Sequence, residues 1–396
     1  MGFSSNKVVI MDNLYFNEEH LMLREMVRDF AQNEVKPLAQ KIDKSGEFPQ
    51  ESVDKMAELG LMGIPWPEEY GGTGMDTRAL VIAIEEIGKV CCSTAAIMMA
   101  HTSLGTGGLY HFGTEEQKQK FIPQLASGKM IGSFGLTEPN AGSDAGNTQT
   151  TAELVGNEFV VNGQKVFCTN AGYAGLITFT AQFIENGVKK GVGAFIVESG
   201  TDGLKLSPPE KKMGWKASDT RTVYFENMRI PKENIIGNPK SGFKQFLKTL
   251  TSGRITIGAL SLGTAQGGYE AALNYSCERD AFGKQISDFQ GVSFKLADMA
   301  TKIEAAKHLV YHAAYLKDMG IDVIKEAAMA KLFSSESAMQ ITTEAIQIHG
   351  GYGYIHDYDV ERFFRDAKIL EIGEGTSEIQ RIIISREILK SINKAA

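Results

Sequence analysis

Cysteine is scarce in this sequence. There are four in 396 residues, two of them adjacent (Cys91-Cys92) and none at metal-ligand spacing. A disulfide framework and a zinc or other metal site are therefore not expected. Long apolar runs are also missing. No stretch approaches the roughly 20 residues that a membrane-crossing helix needs, and residues 1–16 lack the apolar centre of a secretory signal. Those absences point to the cytoplasm, or to an organelle matrix after processing, with the cytoplasm preferred. Positive charge is short as well: 41 Lys and Arg against 48 Asp and Glu leave a net charge of -7. Nucleic acid is thus a poor candidate for the main partner, because phosphate backbones require a basic surface. A small anionic ligand needs only a local Arg or Lys. No glycine-rich segment has the strand-then-helix setting of a Rossmann or Walker loop, which disfavours those nucleotide folds. No internal repeat or low-complexity tract is present.

What is there is an ordinary globular composition, 43% hydrophobic and 22% charged, in a chain long enough for two or three packed units. Leu23, Met26, Val27, Phe30, Ala31 and Val35 recur at helical spacing, with Asn17 as N-cap and Pro37 as the expected stop. Further helices are expected over 50–59, 82–90, 94–104 and 115–125, separated by a turn-rich connection at 67–74. After Lys129 the pattern changes. Short segments at 150–154, 158–161 and 165–169 are divided by Gly156-Asn157 and Asn162-Gly163, both hairpin signals. Strand character continues at 192–198 and 221–229. From Gly242 helical periodicity returns, broken at 279–283, at Gly320 and at Gly350-Gly351-Tyr352-Gly353. The order implies an α+β chain, mostly α: an N-terminal helical domain (1–130), a central antiparallel β domain (131–240) and a C-terminal helical bundle (241–396).

The stretch richest in chemistry is Glu371-Ile372-Gly373-Glu374-Gly375-Thr376-Ser377-Glu378-Ile379-Gln380-Arg381. A carboxylate stands between two glycines at the start of a helix, with Thr376 or Ser377 able to cap it. Glycine on both sides lets the backbone pass close to a ligand. A general base acting on a carbon acid against a flat cofactor needs that exposure; a solvated glutamate at a helix start is the bland alternative. Four more stretches have the glycine and hydroxyl content of ligand-contacting loops: Leu136–Asp144, Asn162–Asn170, Glu278–Gln290 and Gln347–Tyr354. Each alone is as readily a turn.

Together, in this order and at these separations, the five stretches closely resemble the acyl-CoA dehydrogenase family. Pro67-Glu68-Glu69-Tyr70-Gly71-Gly72, the segment from Phe112 to Lys118, and Arg365-Asp366 extend the resemblance over nearly the whole chain. It implies a C-terminal four-helix bundle, bound FAD, and α,β-desaturation of an acyl-CoA thioester with electrons passed to an electron-transfer flavoprotein. Glu374 matches the family's base, expected to be desolvated so that its pKa rises. Thr137 and Thr169 match flavin contacts, and Arg279, Phe282 and Gln290 match residues near the pyrophosphate and adenine. Gln347, Gly351 and Thr376 match further cofactor contacts. Ser143 and Arg254 match contacts on the CoA side, and Gly373 and Gly375 flank the acyl group. Because family FAD sites span a subunit boundary, a homotetramer built as a dimer of dimers is implied.

Some members carry the base immediately before the arginine matching Arg254; here that position is Gly253. Many straight-chain enzymes have Tyr where this chain has Gly373, and Ala96 and Ala100 fall where larger side chains often close the acyl pocket. No arginine stands near Ala95 to hold a distal carboxylate. Phe167 replaces the usual Trp beside the flavin. A branched, cyclic or aromatic acyl group is the resulting expectation. An enoyl-CoA reductase working with an electron-transfer flavoprotein is the alternative, and a non-catalytic flavin-binding protein a remote one.

Overall fold

The computed structural model describes residues 14–393, and the sequence reading of residues 1–13 lies outside them. The chain opens with α1 (Glu18–Phe30), α2 (Lys36–Ser45), α3 (Gln50–Glu58), α4 (Thr77–Gly88), α5 (Cys92–Met99), α6 (Gly107–Phe112) and α7 (Glu115–Ala126). Asn17 caps α1 as expected: its side chain accepts from the His20 N–H at 3.0 Å, and His20 Nδ1 accepts from the Asn17 N–H at 3.2 Å. The expected stop at Pro37 is absent. A π-helical turn (Ala31–Val35) carries α1 into α2, where Pro37 sits in the first turn. The π-helical hydrogen bonding before it accommodates the missing N–H of Pro37, so the helix runs on to Ser45.

The middle of the chain forms one sheet. Its strands are β1 (Ile131–Gly135), β2 (Thr151–Val155), β3 (Glu158–Thr169), β4 (Ala174–Glu185), β5 (Val188–Glu198), β6 (Leu204–Leu206), β7 (Thr220–Pro231) and β8 (Ile235–Ile236). The order is β6-β7-β3-β2-β4-β5-β8, with β1 beside β4. Most pairs are antiparallel, but β4 runs parallel to both β1 and β2. Gly156-Asn157 makes the expected β2–β3 hairpin, Gly156 at φ +64°. Asn162-Gly163 does not turn the chain: it lies within β3, at a bulge opposite β7, with Gly163 at φ +139°. A left-handed-tolerant dipeptide serves a bulge as well as a turn, and here β7 offers partners on both sides of it.

The C-terminal unit holds α8 (Gly242–Glu278), α9 (Gln290–Asp318), α10 (Ile324–His349), α11 (Val360–Ala367) and α12 (Ser377–Asn393). A two-stranded hairpin, β9 (Asp280–Ala281) and β10 (Lys284–Gln285), links α8 to α9. One hydrophobic core joins the N-terminal helices to this bundle. α8 approaches α4 closely, because a Cβ at Gly263 would stand 2.4 Å from the Glu85 carbonyl oxygen. That contact fixes α8, which carries Gly253 and Arg254, against the N-terminal helices.

The sheet has its own buried charge pair. Lys165, fully buried, donates to Glu138 Oε1 at 2.6 Å, to the Leu136 carbonyl at 3.1 Å and to Thr180 Oγ1 at 3.1 Å. Glu138 also accepts the N–H groups of Gln149 at 2.6 Å and Thr150 at 3.1 Å. The pair therefore anchors the Thr137 loop to the strand that carries Thr169. Lys165→Met strands a buried carboxylate and should lower unfolding stability by about 3–5 kcal/mol, read from denaturant melts.

Candidate active site

Glu374 lies in the turn between α11 and α12. The chain leaves a short 3-10 turn (Lys368–Glu371), and the N–H of Gly373 donates to the Ile369 carbonyl at 2.8 Å. The left-handed strain falls on Glu374 itself, at φ +53°, and on Gly375 at φ +95°; Gly373 does not share it. A non-glycine residue held there costs about 1–2 kcal/mol, so its surroundings must enforce it. They do so through both carbonyls of the turn. Gln380 Nε2 donates to the Gly375 oxygen at 2.8 Å and to the Glu374 oxygen at 3.4 Å, and Lys331 Nζ donates to the Gly375 oxygen at 2.9 Å. Thr376, not Ser377, caps α12, its hydroxyl accepting the Ile379 N–H at 3.4 Å. The N–H of Glu374 has no acceptor among the described residues.

The carboxyl group is directed at α8. A Cβ built on Gly253 would fall 1.9 Å from Glu374 Oε2 and 3.1 Å from Leu104. The alternative base position and Glu374 thus face the same space, and glycine at 253 is what leaves room for the longer side chain. Glu374 Oε2 is buried and receives no hydrogen bond. Burial pushes this carboxyl up to about 7, against the pull of the Lys331 and Arg254 charges. Burial likewise brings Lys331 down to about 8 and Arg254 to about 10. A carboxylate that exchanges its proton near neutrality is matched to general-base work.

Leu104, which approaches Gly253, belongs to the π-helical turn (Ala100–Thr106) that follows α5. Ala100 and Leu104 keep slight exposure, 6% and 8%, whereas Ala96 is at 0% and does not reach the space. Gly373 is half-buried.

The sheet brings Thr137 and Thr169 to one edge. Val166 donates its N–H to the Thr137 carbonyl at 2.8 Å, and Ser133 Oγ donates to the Thr169 carbonyl at 2.7 Å. Between them β3 bulges against β7, and Phe167, at φ +59°, turns its ring outward with 66% of it exposed. Ser143 is exposed in the loop after β1. Arg279, Gly351 and Tyr352 line a separate cavity of about 470 Å³, with the Arg279 guanidinium 5.8 Å from the Tyr352 ring centre. Phe282 projects beside it, 97% exposed, and Gln290 and Gln347 are exposed as well. Added Cβ atoms at Gly350 and Gly351 would meet nothing within 4 Å, so backbone is bare there. An outward aromatic flanked by hydroxyls, and a cation beside open glycine backbone, suit a flat ring and a diphosphate. The residues fit FAD.

These groups form two clusters rather than one. Lys331, at the base turn, and Gln347 are 16 residues apart on α10, about 24 Å at 1.5 Å per residue. His349 is structural: buried, with Nδ1 2.8 Å from the Ala345 oxygen and its ring 4.2 Å from that of Tyr275. Cys91 and Cys92 are buried core. The sequence reading missed Lys331 and Gln380. A lysine inside Ala327-Ala328-Met329-Ala330-Lys331-Leu332 was the available signal for the first. Gly253→Ala should displace the Glu374 carboxylate and slow flavin bleaching by up to about a hundredfold, with FAD content unchanged.

Comparison with known proteins bears on the same residues. Models of the acyl-CoA dehydrogenase N-terminal, middle and C-terminal domains match residues 17–129, 133–228 and 240–389. The chain is 53% identical to the probable acyl-CoA dehydrogenase YngJ of Bacillus subtilis, over 96% of this chain and 100% of that one. It is 46% identical to the acryloyl-CoA reductase (NADH) of Anaerotignum propionicum, over 94% and 95% of the two chains. A chain of the solved structure described as the electron transferring flavoprotein of Acidaminococcus fermentans superposes with a TM-score of 0.92 at 44% identity, covering 98% of this chain and 100% of that one. With its helix–sheet–helix order and FAD-compatible loops, the chain belongs to the acyl-CoA dehydrogenase family, whose members depend on FAD.

Proposed function

We propose that the protein desaturates an acyl-CoA thioester between its α and β carbons, with Glu374 removing the α-proton. The observation that carries this reading is the Glu374 carboxyl: Oε2 buried, without a donor, and brought to about 7. An α-proton of a thioester is far less acidic than a carboxylic acid, so the carbonyl oxygen must be stabilised as charge develops on it. The turn offers a donor for that oxygen. With the Glu374 and Gly375 carbonyls held by Gln380 and Lys331, the Glu374 N–H remains for a ligand. FAD held by these loops would supply the acceptor for the β-hydrogen as hydride. Leu104 and the α8 backbone at Gly253 exclude water from around the carboxylate.

Electrons would pass to an electron-transfer flavoprotein, and the protein would work in the cytoplasm as a dimer of dimers. Assembly is favoured by the separation of the two cofactor-facing clusters along α10 and by exposed apolar side chains on α12, Ile382 and Leu389 among them. The similarity to an acryloyl-CoA reductase favours a second reading, the same site run in reverse. A carboxyl raised to about 7 can also carry the proton that this direction would deliver to Cα.

Glu374→Gln keeps the size of the side chain and removes the base. Anaerobic flavin bleaching by butyryl-CoA should fall by at least about a thousandfold, with FAD content and CoA-ester binding retained. Bleaching at the wild-type rate would defeat the assignment. For the substrate, a wide acyl group is proposed on Gly373 and Ala100. A Cβ at Gly373 would meet only Ile369, at 3.4 Å, and the backbone there is not left-handed, so a side chain can be accommodated. Gly373→Tyr should lower activity on branched or aromatic acyl-CoA more than on butyryl-CoA; equal losses would sink the idea.

A further inference from the structure

Lys331, like Arg254, is a buried cation whose hydrogen bond goes to a neutral group. It lies on α10 with no surface exposure, and its hydrogen bond goes to a neutral acceptor, the Gly375 carbonyl, at 2.9 Å. A neutral amide could hold that carbonyl without the desolvation that a buried ammonium incurs. Gln380 already holds it, at 2.8 Å. The charge on Lys331 therefore needs a separate reason, and the groups around it supply one.

Five charged groups face Lys331: Glu374 on the turn, Glu371 just before it, Arg254 on α8, Glu336 on its own helix and Glu378 in the first turn of α12. Of the four acids, Glu371 is taken by Lys368 at 2.6 Å and Glu336 by Arg381 at 2.7 Å, and Glu378 is exposed to solvent. Glu374 is the acid left, and it is faced by Lys331 and Arg254. Arg254 is itself under the influence of Arg386 and donates through Nη1 to Thr251 Oγ1 at 3.3 Å.

We propose that Lys331 is a positioning residue for the base: its ammonium clamps the left-handed turn through the Gly375 carbonyl, and its charge keeps the Glu374 carboxylate ionised. The proposal rests on Glu374 being the base. The two parts act on one object. The clamp aims the Glu374 N–H into the site, and the charge opposes the burial that would otherwise leave the same residue protonated and unable to accept the α-proton. Removing the charge raises the affinity of Glu374 for its proton, so the acid limb of the rate profile must move to higher pH.

The test uses the FAD-loaded protein and anaerobic flavin reduction by butyryl-CoA across pH. Lys331→Met, of similar length but uncharged, should move the acid limb up by about one pH unit or more and lower the plateau rate. Lys331→Arg, which keeps the charge, should leave the acid limb in place. A carboxyl infrared band that Glu374→Gln abolishes should titrate at the same higher pH in Lys331→Met without substrate. A lysine that only filled space would move neither. If Lys331→Met does not retain FAD, Lys331→Gln replaces it with the same expected shift. An unshifted acid limb in the uncharged variant, or equal shifts in the Met and Arg variants, overturns the proposal. Bleaching retained in Glu374→Gln would instead overturn the base assignment, so the two failures are distinct.

Discussion

Burying a carboxylate beside the backbone of α8 is the constraint on which the rest of this structure turns. Glu374 can occupy that place because position 253 has no side chain; a single Cβ there would overlap Oε2 at 1.9 Å. The same burial works against ionisation, and Lys331 and Arg254 work for it, with the result near 7. Neither influence alone would give a useful base. Full desolvation without the two cations would leave the group protonated, and the cations without burial would give an ordinary surface acid too weak to attract an α-proton. The left-handed turn adds orientation, because the residue that carries the carboxylate also keeps its own N–H free of any acceptor among the described residues. In the proposed reaction one residue would then serve both ends of the enolisation, and three elements (α8, α10 and α12) would hold it in register.

This explains why the site sits where the bundle meets the N-terminal helices. α8 is held against α4 through the close contact at Gly263, and α10 reaches the turn through Lys331. The sheet domain holds Thr137 and Thr169 along one edge fixed by the Glu138–Lys165 pair. Phe167 faces outward from the same edge because β3 bulges there, and a bulge re-aims one side chain without breaking the strand.

Much of this was legible in the sequence, for physical reasons that differ by element. Asn17 announced a helix start because a short polar side chain can satisfy a free N–H, and Gly156-Asn157 announced a hairpin because both residues tolerate positive φ. Asn162-Gly163 carries the same local signal and yet lies in mid-strand, since only the strand opposite decides between a turn and a bulge. Pro37 misled for a similar reason: whether it stops a helix depends on which turn it occupies, and the π-helical turn before it moves it to a harmless one. β4 went unseen because most of its residues are buried on both faces, which erases the alternation that marks a strand. The candidate base was visible through its flanking glycines and through the family resemblance, whereas the left-handed strain on Glu374 itself was not.

Lys331 was not visible as part of the site, and the reason is general. Its helix is read from apolar spacing, where one lysine among alanines is usually a surface interruption. Only the tertiary arrangement places residue 331 beneath residue 375, across 44 positions of chain. Sequence motifs report residues that touch ligands, because those cluster in glycine-rich loops. They are silent about the charges that set the behaviour of such residues from the far side. In this protein the loop shows which group is available to take a proton, and the buried partner on α10 bears on whether that group is ionised when the substrate arrives.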